Sequence, residues 1–144
     1  MKNRNIPKSD DWATPLDFYQ DLNREFNFDF DPCPLHADFD GLSVEWGQRN
    51  FINPPYSRKL KEAFVKKAVE ENKKGKLCVM LLPVSTSTAL FHDYILPNAQ
   101  DIRFVRGRIK FEGINTFGER VSNKTGMFDS MVVVFGAKND EEGN

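Results

Sequence analysis

Asn53, Pro54, Pro55 and Tyr56 form the segment whose residue types and order are best suited to chemistry. A residue that precedes a proline is held in an extended conformation, and this happens twice here, at Asn53 and at Pro54. Neither proline carries an N–H, so the Asn53 side-chain oxygen and the Pro54 carbonyl are acceptors without competing donors at the prolines. The sequence therefore predicts a stiff edge that is rich in hydrogen-bond acceptors.

Two fixed acceptors can hold both hydrogens of an exocyclic amine on a planar heterocycle. They favour the pyramidal, more nucleophilic nitrogen, because preorganised dipoles stabilise the charge that develops on it. Tyr56 adds a flat face, and stacking of a base on an aromatic ring contributes about 1–3 kcal/mol. This is comparable with the few kcal/mol needed to extrude a base from a duplex. The alternative is a plain strand-ending turn beside a tyrosine.

The elements that must position this segment alternate between strand and helix along the chain. Apolar residues at intervals of three and four predict helices, whereas alternation or a continuous apolar run predicts strands. Thr14 can act as the N-cap of the first helix and Ser57 as that of the second, which Gly75 ends. The predicted helices are 14–26, 57–75 and 87–96, and the predicted strands are 26–31, 50–52, 76–83, 101–107, 108–113 and 127–136.

This alternation predicts an α/β fold, with a mainly parallel sheet flanked by helices and an antiparallel C-terminal strand. The 144 residues fit one domain, predicted over 11–137, with a flexible arm at 1–10 and a disordered acidic tail at 138–144. Ligands of such sheets bind beyond the carboxyl ends of the strands, where Asn53 to Tyr56 lies.

Composition excludes several classes of function. The net charge of −1 argues against general nucleic-acid binding by charge, so any such surface must be local. No apolar window approaches the roughly 18 residues of a membrane helix and the start lacks a signal peptide, which predicts a cytoplasmic protein with no membrane partner. Cys33, Cys78, His36 and His92 match no metal spacing, so we expect no metal site and reduced thiols.

A local basic surface is predicted in the segment RFVRGRIKF, residues 103–111. Its apolar residues can anchor the segment while the basic tips reach phosphates, and Gly107 allows a turn at its centre. The alternative is an edge strand that positive charge protects from aggregation. The candidates for DNA contact are Arg106, Arg108 and Lys110, with Ser57 and Arg58 after the tyrosine.

The chain resembles the phage-type DNA N6-adenine methyltransferases over most of residues 10–135. The resemblance is carried by an ordered set of segments: DDWATP, DFDPCP, DGLSVEW, FINPPYS, LLPVSTSTALFH, RFVRGRIKF and DSMVVVF. It implies a compact Rossmann-like fold, S-adenosylmethionine as methyl donor, DNA as partner, and a flipped adenine whose N6 amine is held by Asn53, Pro54, Pro55 and Tyr56.

The resemblance also implies which residues hold the methyl donor. Asp31, Pro32 and Cys33 look like a shortened form of an acidic, glycine-rich cofactor motif, although no G-x-G follows Asp31. Asp29 competes with Asp31, since period two places both on one face. Asp40 or Glu45 could hold ribose hydroxyls, although either could be a solvated loop acid. The residues implied to bind the donor are Trp12, Thr14, Pro15, Asp31, Pro32, Cys33 and Asn53.

Two other functions remain open at the level of sequence. The same segment could methylate another planar nitrogen, such as a protein glutamine or a guanine amine in RNA. Because this chain lacks the glycines of the cofactor motif after Asp31, it could instead be a catalytically silent nucleic-acid-binding domain. For a DNA enzyme of this size we expect modest sequence specificity, or help from a partner chain in recognising the target.

Overall fold

A mixed four-stranded sheet lies at the centre of the computed structural model, which describes residues 12–35, 37–114, 120–122 and 128–136. The order of its strands is β2, β3, β7, β4. The strands are β2 (Arg49–Ile52), β3 (Leu77–Pro83), β4 (Asp101–Phe104) and β7 (Ser130–Phe135). β3 is apolar throughout and buried along nearly its whole length, as its continuous apolar run predicts. The predicted arm 1–10 and tail 138–144 lie outside the described residues.

The directions of these strands agree with the prediction in part, since β2, β3 and β4 run one way and β7 runs the other way. β2 and β3 pair in parallel, whereas β7 lies antiparallel between β3 and β4. Among the described strands of this sheet only one pairing is parallel, so a mainly parallel, Rossmann-like sheet is not confirmed. The antiparallel C-terminal strand is confirmed. A strand that is buried on both faces is apolar throughout, and such a run carries no signal for its direction.

Helices cover both faces of the sheet, which makes the fold a mixed α/β one. Helix α1 (Leu16–Phe26) packs with Phe51, Val79 and Val132 on one face. Helix α2 (Arg58–Lys73) and a short π-helix (Phe91–Ile95) pack on the other face with Ile52 and Met80. The π-helix lies within the segment 87–96 where a helix was predicted, so the position of that helix is confirmed.

The N-terminus of α1 also differs from the prediction. Pro15, not Thr14, occupies the N-cap position, and no side chain caps the helix. The apolar periodicity of the helix would place Leu16 on its buried face, but Leu16 is 69% exposed. At the other end, Asn27 takes a left-handed conformation (φ 57°), and its N–H bonds to the Asn23 carbonyl at 2.8 Å. The second helix starts after Ser57 as predicted, and Gly75 follows it with φ 95°.

The predicted strand 26–31 is largely wrong. Phe26 still belongs to α1, and within the segment only Phe30 forms a bridge, parallel to Asn50 of β2. The left-handed residue 27 breaks the extended run that the apolar and acidic alternation suggested. The bridge nevertheless sets the chain beside β2, with the Phe51 N–H bonded to the Phe30 carbonyl at 3.0 Å. The following Asp31 therefore lies near the carboxyl end of β2.

A second, three-stranded antiparallel sheet was not predicted. Its strands are β1 (Trp12–Ala13), β5 (Glu112–Ile114) and β6 (Arg120–Ser122), in the order β1, β5, β6. β5 begins only at Glu112, so the strand predicted over 108–113 is displaced toward the C-terminus. Pairing with β5 holds β1 in place, and β1 in turn positions Thr14.

Candidate active site

Asn53, Pro54, Pro55 and Tyr56 directly follow β2 at its carboxyl end. Asn53 and both prolines are buried, and Tyr56 is half-buried. Because β2 and β3 are parallel neighbours, their carboxyl ends meet at the same edge of the sheet. In α/β proteins that edge is where ligands bind.

A hydrogen bond that joins two distant parts of the chain fixes the side chain of Asn53. Its Nδ2 donates to the Thr14 hydroxyl Oγ1 at 3.1 Å, and Asn53 is only 9% exposed. Since the amide group is planar, the bond at Nδ2 also determines where the carbonyl oxygen Oδ1 lies. Thr14 therefore acts on Asn53 instead of capping α1.

Two phenylalanines hold the ring of Tyr56. Its centroid lies 5.7 Å from that of Phe111 and 5.2 Å from that of Phe128, both at nearly perpendicular angles. Such edge-to-face pairs contribute about 0.5–1.5 kcal/mol beyond the area that they bury. Burial also raises the pKa of the Tyr56 phenol, so the ring stays neutral at physiological pH.

A cavity of about 270 Å³ adjoins Asn53 on the α1 face of the sheet. We call it the Asp31 cavity. It brings together four of the residues predicted to bind a methyl donor: Thr14, Asp31, Cys33 and Asn53. Pro15 and Pro32 do not line it. Trp12 lies in β1. Its other walls include Tyr19, Phe51, Pro34 and Leu35.

Asp31 is the acidic side chain of this cavity. Burial raises the pKa of its carboxyl group to about 6, although a hydrogen bond from the Cys33 N–H at 2.8 Å lowers it in part. The pKa of the Tyr19 phenol is raised as well, first by burial and then by the charge of Asp31. Asp31 is therefore close to its titration point at mildly acidic pH.

The competing acids have structural roles elsewhere. Asp29 accepts a hydrogen bond from the Arg49 N–H at 3.0 Å, which leaves Asp31 as the acid in the cavity. Asp40 accepts from the Leu42 N–H at 3.0 Å within its own loop. Glu45 pairs with Lys76 at 3.2 Å. None of the three lines the Asp31 cavity.

The predicted basic residues lie on the surface, and some of them pair with acids. Arg58, Arg106, Arg108 and Lys110 are exposed and Ser57 is half-buried. Arg58 contacts Glu62 at 3.2 Å and Arg108 contacts Asp129 at 3.1 Å. Exposed pairs of this kind contribute about 0–1 kcal/mol, so a phosphate can compete for either arginine. Gly107 has φ 75°, which forms the predicted turn.

Arg103 differs from its basic neighbours. It forms two hydrogen bonds to the Glu25 carboxylate, at 2.7 and 2.6 Å, and a third to Asp101 at 2.8 Å. Its guanidinium also lies 5.3 Å from the centre of the Phe26 ring. The carboxylates of Glu25 and Asp101 raise the pKa of Arg103, and the bonds to Glu25 tie β4 to α1. We therefore assign Arg103 to the fold and not to DNA contact.

Comparison with protein families identifies the family of the chain. A model of the family described as DNA N-6-adenine-methyltransferase (Dam) matches residues 2–142, nearly the whole chain. The chain belongs to the Dam family. No curated protein and no solved structure matched it. Membership of the Dam family supports activity as a DNA adenine N6-methyltransferase and implies DNA as the substrate.

Sequence reasoning missed part of the site in this Dam-family chain. The contact between Thr14 and Asn53 joins residues 39 positions apart, and no local pattern points to it. Tyr19 and Phe51 could be predicted as core residues but not as walls of a cavity. Among the described residues, no helix is long and apolar enough to cross a membrane.

Proposed function

We propose that this chain transfers a methyl group from S-adenosylmethionine to the N6 amine of an adenine that is flipped out of DNA. The observation that carries the proposal is the position of Asn53. Its side chain is locked by Thr14, lines the Asp31 cavity and begins the acceptor-rich segment that ends at Tyr56. Asn53 thus adjoins both a cavity for the methyl donor and the segment that would hold the adenine amine.

Three groups of this segment act on the adenine. The Asn53 Oδ1 and the Pro54 carbonyl accept the two N6 hydrogens and stabilise the positive charge that develops on the nitrogen. Tyr56 stacks on the base, and its two phenylalanine neighbours hold the ring ready for that contact. Pro55 keeps the backbone stiff between them, so little reorganisation accompanies the reaction.

The lining of the Asp31 cavity suits S-adenosylmethionine in its chemistry. Asp31 supplies a carboxylate for a ligand that carries cationic groups, and Tyr19, Phe51 and Leu35 supply surfaces for its apolar parts. Thr14, Cys33 and Asn53 would complete the contacts, while Trp12, Pro15 and Pro32 would shape the backbone around them. When bound, the donor supplies an electrophilic methyl group on a sulfonium, and the protein supplies alignment and electrostatics.

Contacts to the DNA backbone would come from the exposed cations. Arg106, Arg108 and Lys110 lie around the turn at Gly107, and Ser57 and Arg58 follow Tyr56. Each phosphate contact of this kind releases counterions, so binding should weaken steeply with salt.

Transfer of a labelled methyl group tests the proposal. Duplex DNA, RNA and a glutamine-containing protein are offered in parallel with labelled S-adenosylmethionine, and the products are digested and separated. We expect label in N6-methyladenine from DNA. Label in RNA or in glutamine instead would show that the enzyme methylates a substrate other than DNA. Calorimetric titration that detects no binding of S-adenosylmethionine would instead favour a catalytically silent DNA-binding domain.

Replacing Thr14 by Val should lower kcat about 10- to 100-fold, because Asn53 loses the bond that aligns its acceptor oxygen. Valine keeps the shape of threonine and removes its hydroxyl. Thr14→Ser retains the hydroxyl and should restore most of the rate. Steady-state kinetics and calorimetry with S-adenosylmethionine measure the effect. A loss of donor affinity with unchanged kcat would show that Thr14 binds the donor and does not position Asn53.

Asp31→Asn should change both stability and donor binding in a pH-dependent way. The raised pKa means that folded protein binds more protons than unfolded protein between pH 4 and 6, so the wild type loses stability as pH rises through that window. Asparagine removes this loss, which makes the variant about 3 kcal/mol more stable at pH 7. The difference should vanish below about pH 4. Urea unfolding at both pH values measures it.

The same variant should bind S-adenosylmethionine weakly at every pH. In the wild type, affinity should fall as pH drops below about 6, because protonation removes the carboxylate that faces the cationic donor. Asp29→Asn is the matched control, since Asp29 bonds to the Arg49 N–H outside the cavity. Equal loss of affinity in both variants would contradict the role assigned to Asp31.

A further inference from the structure

A second cavity, of about 370 Å³, lies on the opposite face of the sheet, beyond the carboxyl end of β3. We call it the α2 cavity, because the first turn of α2 forms one of its walls. It falls in the range of about 300–1,000 Å³ that ligand sites occupy. The proposed binding of the methyl donor and of the adenine does not use this cavity.

The α2 cavity combines an apolar interior with a basic rim. Leu82, Leu90, Ile95 and Met131 supply the apolar part. The rim carries Arg58, Lys61 and Glu62 from α2, so two cations face one acid there, and the hydroxyl groups of Ser85 and Thr88 complete it. Arg58 is 89% exposed at its side chain, and its pair with Glu62 is therefore weak. A flat aromatic ring with a neighbouring anion matches this combination, and a nucleotide has both parts.

The loop that borders this cavity is held in place by hydrogen bonds. The Val84 N–H donates to the Asp129 carbonyl at 2.8 Å, and the His92 ring nitrogen Nε2 lies 2.8 Å from the Thr86 carbonyl. The Thr88 hydroxyl donates to the Ser85 carbonyl and accepts from the Phe91 N–H, both at 3.2 Å. The adjoining π-helix is a rare element that often marks functional sites. The cavity is thus preformed.

The α2 cavity also adjoins the catalytic segment. Arg58 follows Tyr56 by two residues, and two residues of chain span at most about 7 Å. The Asp31 cavity lies on the face of Phe51, and the α2 cavity lies on the face of Ile52 and Leu82. A strand of DNA whose adenine is held at Tyr56 would therefore continue past the rim of the α2 cavity.

We propose that the α2 cavity binds the base of a nucleotide next to the methylated adenine, with the adjoining phosphate at Arg58 and Lys61. The inference rests on the proposed methyl transfer and adds how the enzyme recognises the DNA sequence beside the adenine. The cavity would give the single chain a preference at one flanking position without a separate recognition domain. The preference would act through the fit of the base between Leu90 and Met131.

Filling the cavity tests this assignment. Ala89→Trp places a large side chain at the lining, and Ser87→Trp places the same side chain on the exposed loop outside it. Methylation of a DNA library randomised around the adenine is read by sequencing. We expect the wild type to prefer one base at one position adjacent to the adenine. Ala89→Trp should reduce this preference at least 5-fold, and Ser87→Trp should leave it unchanged. No preference in the wild type, or equal effects of both variants, would overturn the proposal.

A binding experiment without turnover separates this inference from the proposed function. The fluorescent base 2-aminopurine is placed either at the adenine or at the adjacent position. Ala89→Trp should suppress the fluorescence change of the adjacent probe alone. Suppression at the adenine position alone would show that the cavity holds the methylated base, and no suppression at either would show that it binds no base. Absence of methyl transfer by the wild type would refute the proposed function while this readout still stands.

A substitution at the rim provides a milder test. Lys61→Gln should reduce the slope of log affinity against log salt by about 1, the loss of one phosphate contact. Lys59→Gln, in the same turn of α2 but outside the cavity, is the matched control. Equal changes in the two variants would mean that Lys61 contributes only general positive charge and would overturn its role in the cavity.

Discussion

Asn53→Ala should lower kcat for methyl transfer by about 10²- to 10³-fold, while the chain remains folded. Removal of one preorganised hydrogen-bonding group that stabilises developing charge has an effect of this size in other enzymes. Asn53 carries the acceptor for the amine, and its burial and its bond to Thr14 mean that water cannot readily replace it. Methyl incorporation into an adenine-containing duplex under saturating substrate measures the loss.

Two further variants separate chemistry from stability. Asn50→Ala removes a fully buried asparagine at the opposite end of the same strand, where it bonds to the Gly47 and Leu77 carbonyls. It should destabilise the fold but leave the rate of the folded fraction unchanged. Asn53→Asp keeps an acceptor that the Thr14 hydroxyl can still bond, so it should retain more activity than Asn53→Ala. Near-normal activity in Asn53→Ala would contradict the proposed role of Asn53 in holding the adenine amine.

Glu71→Ala should lower the free energy of unfolding by about 3–5 kcal/mol, because the buried Lys76 loses its buried carboxylate and keeps only the exposed Glu45. Glu71 is 1% exposed and Lys76 is 5% exposed, and the Lys76 Nζ lies 2.6 Å from the Glu71 Oε1. Lys76 also donates to the Trp46 carbonyl at 2.9 Å, so the pair joins the end of α2 to β3 and to the loop before β2. Urea unfolding measures the change.

A double variant and a surface control complete the test. Glu71→Leu with Lys76→Met removes both charges and should recover much of the lost stability, since apolar replacement of a buried pair is often neutral. Asp21→Ala breaks the exposed pair with Arg24 and should change stability by less than about 1 kcal/mol. A loss in Glu71→Ala no larger than that in Asp21→Ala would show that the buried pair is not a major source of stability.

The pair also predicts a direction of pH dependence. Burial alone would raise the pKa of Glu71, but hydrogen bonds from Lys76 and Lys74 lower it below its ordinary value of 4.5. The stabilisation is therefore fully present above about pH 4.5 and is lost as pH falls through the lower pKa of the folded state. Asp31 acts in the opposite sense, so its contribution and that of Glu71 can be told apart by titration of the single variants.

Several elements whose sequence signals are local were predicted correctly. The intervals of three and four apolar residues predicted α2, which runs from Arg58 to Lys73. The continuous apolar run predicted β3. The two prolines, whose backbone freedom is restricted by covalent geometry, predicted a stiff segment after β2. In each case the information lies within a few neighbouring residues.

Predictions failed where contacts between distant residues decide the outcome. Asp29 and Asp31 are alike by sequence, and only the bridge of Phe30 to Asn50 places one beside the Arg49 amide and the other in a cavity. Arg103 belongs to a basic run, yet Glu25, 78 positions away, draws it into the fold.

The sequence by itself determined the acceptor-rich segment from Asn53 to Tyr56, the helix that follows it and the buried strand beside it, because backbone restriction and apolar periodicity are local properties. The tertiary structure alone decided that Thr14 aligns Asn53, that β7 is inserted between β3 and β4, and that a second cavity opens beside α2. These features depend on which surfaces meet when the chain folds, and residues that are far apart in sequence supply those surfaces.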